Sequence, residues 1–142
     1  MLKLWGRKNS SNVKKVMWTC AELGVPYERI DAGLHFGVTT TDEFREKNPN
    51  GMIPVIDDDG FILWESNAIL RYLCAKHPKA PFWPVDPKIR ASADRWMDWQ
   101  CTTLGPPIGP PNKSGPLRTG AIGRSTRPEN AVSASGLVSG AT

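Results

Sequence analysis

Two short polar segments of this chain carry hydroxyl, amide and carboxylate side chains at predicted helix starts. One is the loop at residues 9–12, with Ser10 and Ser11; the other is the run Glu65-Ser66-Asn67. A hydroxyl at a helix start either caps the helix or, together with the free N–H groups and the helix dipole, faces an anion. Both segments therefore predict either helix caps or anion-binding positions.

Pro54 lies inside a predicted strand at residues 52–56, where a proline is unusual. Because proline has no N–H to donate to a sheet ladder, it normally marks an edge strand or a bulge. The alternative is a cis peptide bond that turns the neighbouring backbone N–H and C=O outward, towards a ligand. The sequence leaves both interpretations open.

The elements that must position these segments alternate between strand and helix. Apolar residues at a spacing of two or at helical spacing predict strands near residues 2–4, 25–31, 52–56 and 61–64 and helices over residues 12–23, 42–47 and 65–77. The acidic run Asp57-Asp58-Asp59-Gly60 joins the last two strands as a hairpin turn. The predicted order is β-α-β-α-β-β-α, which is an α/β fold.

The composition changes abruptly near residue 104. A proline-punctuated linker and a helical pattern over residues 87–103 precede the change. All 12 aromatic residues lie in residues 1–103, whereas residues 104–142 hold 7 Gly and 6 Pro. Such a composition does not bury a core or sustain helices, so we expect a disordered tail. An out-of-frame translation and a natural linker both explain the change.

Composition and cysteine usage argue against several functional classes. The formal net charge of +4 comes mostly from basic residues scattered through the aromatic-free tail, so we expect no nucleic-acid partner. Cys20, Cys74 and Cys101 form neither a CxxC nor a zinc pattern, so we expect reduced thiols and no metal site. Without an apolar run long enough for a signal peptide or a bilayer, a cytoplasmic protein with no membrane partner is expected.

An ordered string of residues runs through the second half of the predicted α/β unit. It comprises Phe44, Asn48-Pro49-Asn50-Gly51, Ile53-Pro54-Val55, Asp58-Asp59-Gly60, Leu63, Glu65-Ser66-Asn67-Ala68-Ile69 and Arg71-Tyr72-Leu73. This string resembles the amino-terminal domain of cytosolic glutathione S-transferases, most of all the serine-using, theta-related bacterial members. The resemblance extends from Met1 to about residue 103.

The resemblance implies a division of the chain. Residues 1–80 are expected to form a thioredoxin-like βαβ-α-ββα domain that binds glutathione, and residues 81–87 a linker. Residues 88–104 would be the first helix of an incomplete all-α domain, and residues 105–142 a disordered, non-family tail. The further helices of the family contribute to its homodimer, so a homodimer is expected of the family and doubtful for this truncated chain.

The resemblance also implies binding roles. The backbone of Ile53, before Pro54, would pair with the cysteinyl part of glutathione as an added strand. Glu65 and Ser66 would hold the γ-glutamyl end. The simpler interpretation, compatible with the first, makes Ser66 an N-cap and Glu65 a first-turn acid. His35 falls in a loop that reaches the glycyl carboxylate in family members; a solvated loop histidine is the alternative.

The implied activity is conjugation of glutathione thiolate to a small electrophilic substrate, with glutathione as co-substrate and no other cofactor. Counting back from Gly24-Val25-Pro26 aligns Ser10 with the hydroxyl that activates the thiol. Ser11 and Asn12 are the neighbouring alternatives. A glutaredoxin-like reaction would need a cysteine in this loop, which has none. A non-catalytic glutathione-binding module or an inactive truncated product is the alternative function.

Overall fold

The computed structural model describes residues 1–79 and 81–105. The strands and helices are β1 Leu2–Trp5, α1 Ser11–Leu23, β2 Tyr27–Ile30, α2 Asp42–Lys47, β3 Val55–Asp58, β4 Phe61–Trp64, α3 Ser66–Lys76 and α4 Pro87–Trp99. The predicted α/β order is confirmed, with a short 3-10 turn at Leu34–Phe36 and a π-helical turn at Gln100–Leu104 in addition. The expected disordered tail falls almost entirely outside the described residues, and the domain boundaries remain predictions.

The four strands form one sheet in the order β2-β1-β3-β4. β1 is parallel to β2, with Leu4 opposite Arg29, and antiparallel to β3, with Leu4 opposite Ile56. β3 and β4 form the antiparallel hairpin, with Ile56 opposite Leu63. This topology brings the C-terminal ends of β1, β2 and β4 and the start of β3 to one edge of the sheet.

The two faces of the sheet carry separate clusters of buried side chains. The larger cluster lies between the sheet and helices α1 and α3 and comprises Leu2, Leu4, Val13, Val16, Cys20, Ile56, Ile69 and Leu73. The smaller cluster covers the other face and comprises Ala32, Phe44 of α2 and Val55. Successive residues of a strand point to opposite faces, which is why Ile56 and Val55 belong to different clusters. Helices therefore pack on both faces of the sheet.

Two predicted element boundaries differ from the observed ones. β3 begins at Val55 rather than residue 52, because Pro54 has no N–H for the ladder and the pairing with Trp5 and Trp64 begins one residue later. α3 begins at Ser66 with Glu65 as its N-cap residue, so the prediction of Ser66 as the N-cap is wrong. The Ile53–Pro54 peptide bond is cis, the second of the two predicted alternatives.

Two cysteines belong to the packed core. Cys20 is fully buried between α1 and the sheet, and burial raises the pKa of its thiol to about 11. Cys74 of α3 is also buried, and burial raises the pKa of its thiol. A thiol that stays protonated is a poor nucleophile, so both act as small apolar side chains.

The hairpin turn between β3 and β4 is confirmed. The Gly60 N–H donates to the Asp57 carboxylate at 2.7 Å, and Asp58 accepts hydrogen bonds from Tyr72 and Lys76 of α3. Burial disfavours the charged form of Asp58, but these two donors outweigh it and lower the pKa of the carboxyl below its usual value. The Asp58 carboxylate therefore attaches the hairpin to α3.

Within the described ranges, every helix is too short or too polar to cross a bilayer.

Candidate functional site

The predicted site residues lie in a row along one edge of the sheet. In the order of the strands, the row runs from the turn after β2, through the β1–α1 loop with Ser10, to Ile53 before β3 and Glu65-Ser66 after β4. Because neighbouring strands are about 4.8 Å apart, the row is about 14 Å long. The fold therefore brings together residues that lie up to 56 positions apart in sequence, from Ser10 to Ser66.

Ser10 is the N-cap residue of α1 and is nearly buried, with 8% of its surface exposed. Its Oγ accepts a hydrogen bond from the Val13 N–H at 3.5 Å, a length at the weak end of the range. The capping role considered in the sequence analysis is thus observed. Its hydroxyl proton meets no acceptor among the described residues, so the hydroxyl can still donate to a ligand.

Ser11 and Asn12 are the first two residues of α1, and both are exposed. Neither side chain forms a hydrogen bond with another residue in the described ranges. Their backbone N–H groups belong to the free first turn of α1, where the positive end of the helix dipole lies. The three candidates for thiol activation thus differ in burial, with Ser10 the only enclosed one.

Ile53 and Pro54 occupy the middle of the row. The Ile53 side chain packs against both buried clusters, which fixes the main chain at this point. Its backbone N–H and C=O lie outside the sheet ladder and have no hydrogen-bond partner among residues 1–79 and 81–105. A backbone pair of this kind can accept an added peptide strand.

Glu65 and Ser66 form the far end of the row, where α3 begins. Glu65 has a φ of 72°, in the left-handed region that non-glycine residues rarely adopt, and its side chain does not cap the helix. Ser66 is 4% exposed, and its hydroxyl makes no hydrogen bond within the described part of the chain. The first-turn N–H groups of α3 are likewise unused there, so this helix start can bind a carboxylate.

Asn67, which the sequence marked only as part of a helix start, joins three helices. Its side-chain N–H donates to the Met97 carbonyl at 2.7 Å, and its Oδ1 accepts from Lys15 Nζ at 2.9 Å. Lys15 also donates to the Gln100 side chain at 2.9 Å. Burial lowers the pKa of Lys15. This network starts at the residue that follows Ser66. No sequence signal links Lys15 to Asn67, 52 positions away, or to Gln100, 85 positions away.

Sequence reasoning also missed Arg7, in the loop between β1 and α1. The Nε of Arg7 is buried and has no hydrogen-bond partner in the structure as described. The sequence shows only a polar, turn-like run around it. The described ranges contain no group of three or more His, Cys, Asp or Glu side chains that could hold a metal ion.

Comparison with known proteins identifies the family. The glutathione S-transferase N-terminal domain model matches residues 1–75. The chain therefore belongs to the glutathione S-transferase family, and the resemblance drawn from its sequence is confirmed.

Individual relatives agree with this assignment. The chain is 51% identical over 106 residues to glutathione S-transferase GstB of Escherichia coli (strain K12), covering 73% of this chain and 51% of the relative. It is 38% identical over 81 residues to glutathione S-transferase theta-1 of Rattus norvegicus, covering 56% and 34%. The chain thus spans about half the length, or less, of these curated relatives.

A solved structure gives the same fold. The theta class glutathione S-transferase from the citrus canker pathogen Xanthomonas axonopodis pv. citri, solved with glutathione bound, superposes with a TM-score of 0.69 at 48% identity. The match covers 72% of this chain and 49% of that one. The thioredoxin-like fold of the described residues is therefore that of a glutathione S-transferase N-terminal domain.

Proposed function

We propose that this chain binds glutathione along the edge of the sheet and that the whole protein conjugates its thiolate to small electrophilic molecules. The observation that carries the proposal is the backbone of Ile53, which has no hydrogen-bond partner in the described part of the chain and lies between the helix starts of α1 and α3. A short peptide with an anionic end fits such a row, because strand addition holds its backbone and a helix start holds its carboxylate.

The γ-glutamyl end would lie at the start of α3. The Ser66 hydroxyl and the first-turn N–H groups donate to its α-carboxylate, and the positive end of the helix dipole favours the charge. The exposed Glu65 carboxylate meets the ammonium group. The left-handed backbone at Glu65 supports this role, because strained residues cluster at binding sites.

The cysteinyl sulfur would lie beside the start of α1. A free thiol has a pKa of about 8.5, so only about a few per cent is ionised at pH 7. A hydroxyl that donates to the sulfur and a helix start with free N–H groups both favour the thiolate. Lowering the pKa by one unit corresponds to about 1.4 kcal/mol.

Ser10 is our choice for that donor, with Ser11 and Asn12 as alternatives. Ser10 is the enclosed candidate, and its hydroxyl oxygen is already oriented by the Val13 N–H, which leaves the proton to point away from the helix. A donor inside a water-poor site stabilises charge more strongly than an exposed one. The exposed side chains of Ser11 and Asn12 would compete with water for the same bond.

Membership of the family is the basis for proposing where the whole protein acts, what it does and how it assembles. We infer a cytoplasmic protein that takes part in the detoxification of electrophiles, with glutathione and the electrophile as its small-molecule partners. A homodimer is the family's expected assembly, and we carry it as a proposal for the whole protein.

The test separates binding from activation. Glutathione is titrated into the 142-residue chain by calorimetry, and thiolate absorbance of the bound ligand is followed against pH for wild type, Ser10→Ala, Ser11→Ala and Asn12→Ala. Ser10→Ala should raise the thiol pKa of bound glutathione by about one unit and leave its affinity within about threefold. The other two variants serve as controls and should match wild type.

Two results would contradict parts of the proposal. An unchanged thiol pKa in Ser10→Ala, with a raised value in Ser11→Ala or Asn12→Ala, would move the activating role to that residue. Absence of any glutathione binding by the wild-type chain would reject the site itself. Binding with an unperturbed thiol pKa in wild type would favour a non-catalytic glutathione-binding module.

A further inference from the structure

Lys15 joins the two helices whose starts form part of the proposed glutathione site. Its ammonium group donates to Oδ1 of Asn67, the second residue of α3, at 2.9 Å. Within residues 1–79 and 81–105 this is the one side-chain hydrogen bond between α1 and α3. The two helices also share the larger buried cluster, but apolar packing has no fixed direction, whereas a charge-assisted hydrogen bond does. The Lys15–Asn67 bond is therefore a directional link between α1 and α3.

This link lies close to both helix starts. Ser66 directly precedes Asn67, and Lys15 follows Ser10 by five residues, which is about 7.5 Å along the axis of α1. Ser66 belongs to the proposed γ-glutamyl site, and Ser10 to the proposed site of the cysteinyl sulfur. The distance between these two sites therefore depends on how α1 and α3 are placed relative to each other.

Both partners of the link are held by further bonds. Asn67 is only 7% exposed, and its amide nitrogen donates to the Met97 carbonyl at 2.7 Å and to Cys101 Sγ at 3.2 Å. The ammonium group of Lys15 also donates to Gln100 Oε1 at 2.9 Å. Each side chain thus has a defined position, which a link between two helices requires.

A lysine at this position is not explained by packing. Lys15 shares the wall of an apolar cavity with Leu70 and Met97. Burial lowers the pKa of its ammonium group, although the charges of Cys101 and Glu65 act in the opposite direction. Taking a charge out of water costs free energy that an apolar side chain of similar volume avoids. What the lysine supplies instead is a fixed position for its hydrogen-bonded partner.

We propose that Lys15 is a positioning residue for glutathione, which acts through Asn67 to set the distance between the starts of α1 and α3. This assignment rests on the proposed function and deepens it. With the link in place, the γ-glutamyl end at Ser66 and the sulfur at Ser10 are held at the same time. Without it, the two helix starts shift relative to each other, and small displacements of this kind weaken both binding and activation.

The test is a double-mutant cycle on the 142-residue chain. Calorimetry measures the glutathione affinity, and thiolate absorbance against pH measures the thiol pKa of the bound ligand. Lys15→Met removes the donor and keeps a side chain of similar length. It should weaken glutathione binding by about fivefold to thirtyfold and raise the thiol pKa of bound glutathione by about half a unit. In the Asn67→Ala background the same substitution should change the affinity by less than about twofold and leave the thiol pKa unchanged.

Two single variants are matched controls. Lys14→Met removes the neighbouring, exposed lysine of α1 and should leave the affinity and the thiol pKa as in wild type. Arg71→Met removes the ion pairs with Asp94 and Asp98, which attach α4 to α3 without involving Lys15. It should keep the glutathione affinity within about twofold. A loss confined to Lys15→Met then identifies the link to Asn67 as the cause, rather than a nearby positive charge or the attachment of α4.

Several results would overturn the assignment and leave the glutathione site intact. One is unchanged binding and thiol pKa in Lys15→Met, and another is an equal loss in Lys14→Met or Arg71→Met. A third is an effect of Lys15→Met that keeps its full size in the Asn67→Ala background. Denaturant titration without ligand checks that each variant is folded, and Lys15→Gln takes the place of Lys15→Met in the cycle if that variant is not. Failure of the wild-type chain to bind glutathione would overturn the proposed function, and this assignment with it.

Discussion

α1 and α4 are both helices of 13 residues, but they are held in different ways. α1 buries Val13, Val16 and Cys20 completely against the sheet, whereas α4 has no buried residue. α4 instead contacts the rest of the chain through polar groups. Its Met97 carbonyl accepts from Asn67, and its Asp94 and Asp98 carboxylates bind Arg71 at 2.7 and 2.9 Å.

The space between these helices explains the difference. A cavity of about 370 Å³ is lined by side chains of α1, α3, α4 and the segment before α4, including Trp18, Leu70, Trp83 and Met97. Apolar side chains that line a cavity lose the close contacts that a packed core supplies. The sheet and helices α1–α3, here called the packed region, are therefore held together by buried apolar side chains. Helix α4, here called the attached region, is held by hydrogen bonds and ion pairs.

The largest expected effect comes from the same isoleucine-to-alanine substitution made once in the packed region and once in α4. Ile69→Ala empties a fully buried position in α3 and should lower the free energy of unfolding by about 2–5 kcal/mol. Ile89→Ala, its matched control in α4, removes a side chain that is 58% exposed and should change it by less than about 0.5 kcal/mol. Denaturant titration measures both free energies of unfolding. Similar losses in the two variants would contradict the claim that burial holds the packed region but not α4.

The sequence predicts which side chains are buried in the packed region far better than it does for the attached region, α4. Periodic apolar residues such as Val13, Val16 and Cys20 mark the buried face of α1, and the Asp-Gly turn marks the hairpin, because both patterns are local. The α4 pattern also predicts a helix correctly. It does not reveal that this apolar face stays exposed, since Trp96 is 58% accessible in the described structure.

The same distinction holds within the site. The positions of Ile53, Pro54 and Ser66 follow from an ordered local string, and the cis bond was one of two predicted alternatives. The N-cap at Glu65 was missed because a positive φ at a non-glycine residue has no sequence signature. The contacts of Lys15 and the burial of Arg7 depend on which loops and helices meet, and short-range patterns do not encode that.

A second, smaller effect is expected where the two regions join. Asn67→Ala removes the side-chain donor to the Met97 carbonyl and one of the two acceptors of Lys15, so both groups lose a partly buried hydrogen bond. We expect a loss of about 1–3 kcal/mol. Hydrogen exchange should accelerate in α4 more than in β1 and β3, because α4 loses one of its few attachments.

The matched control is Asn12→Ala, at an exposed asparagine that also lies in the first turn of a helix. It should leave the exchange pattern of α4 as in wild type. Uniform acceleration across the sheet and α4 in Asn67→Ala would show that the two regions open together.

The smallest expected effect is the dependence of the free energy of unfolding on pH through Asp58. Lys76 and Tyr72 stabilise the charged form of Asp58 and lower its pKa despite burial, so its folded pKa lies below the unfolded value of about 3.9. Asp58 therefore contributes stability above about pH 4 that is lost as the pH falls through its folded pKa. Asp58→Asn should cost no more than about 1 kcal/mol near neutral pH, with the difference from wild type shrinking towards pH 2.

Denaturant titrations between pH 2 and pH 7 measure this dependence. Glu46→Gln, which removes an exposed carboxylate of α2, is the control and should show no comparable pH-dependent difference. A gap between wild type and Asp58→Asn that stays constant across the range would mean that the carboxylate charge is not what attaches the hairpin.

The most direct test of the central claim is a map of glutathione binding on the backbone amides of the ¹⁵N-labelled chain by nuclear magnetic resonance. If the packed region alone forms the site, titration should shift the amides of Ile53, Ser66 and Asn67 and those at the start of α1. The amides of α4 between Ile89 and Trp96 should stay unchanged. Shifts centred on α4, or none along the edge of the sheet at saturating glutathione, would contradict the account.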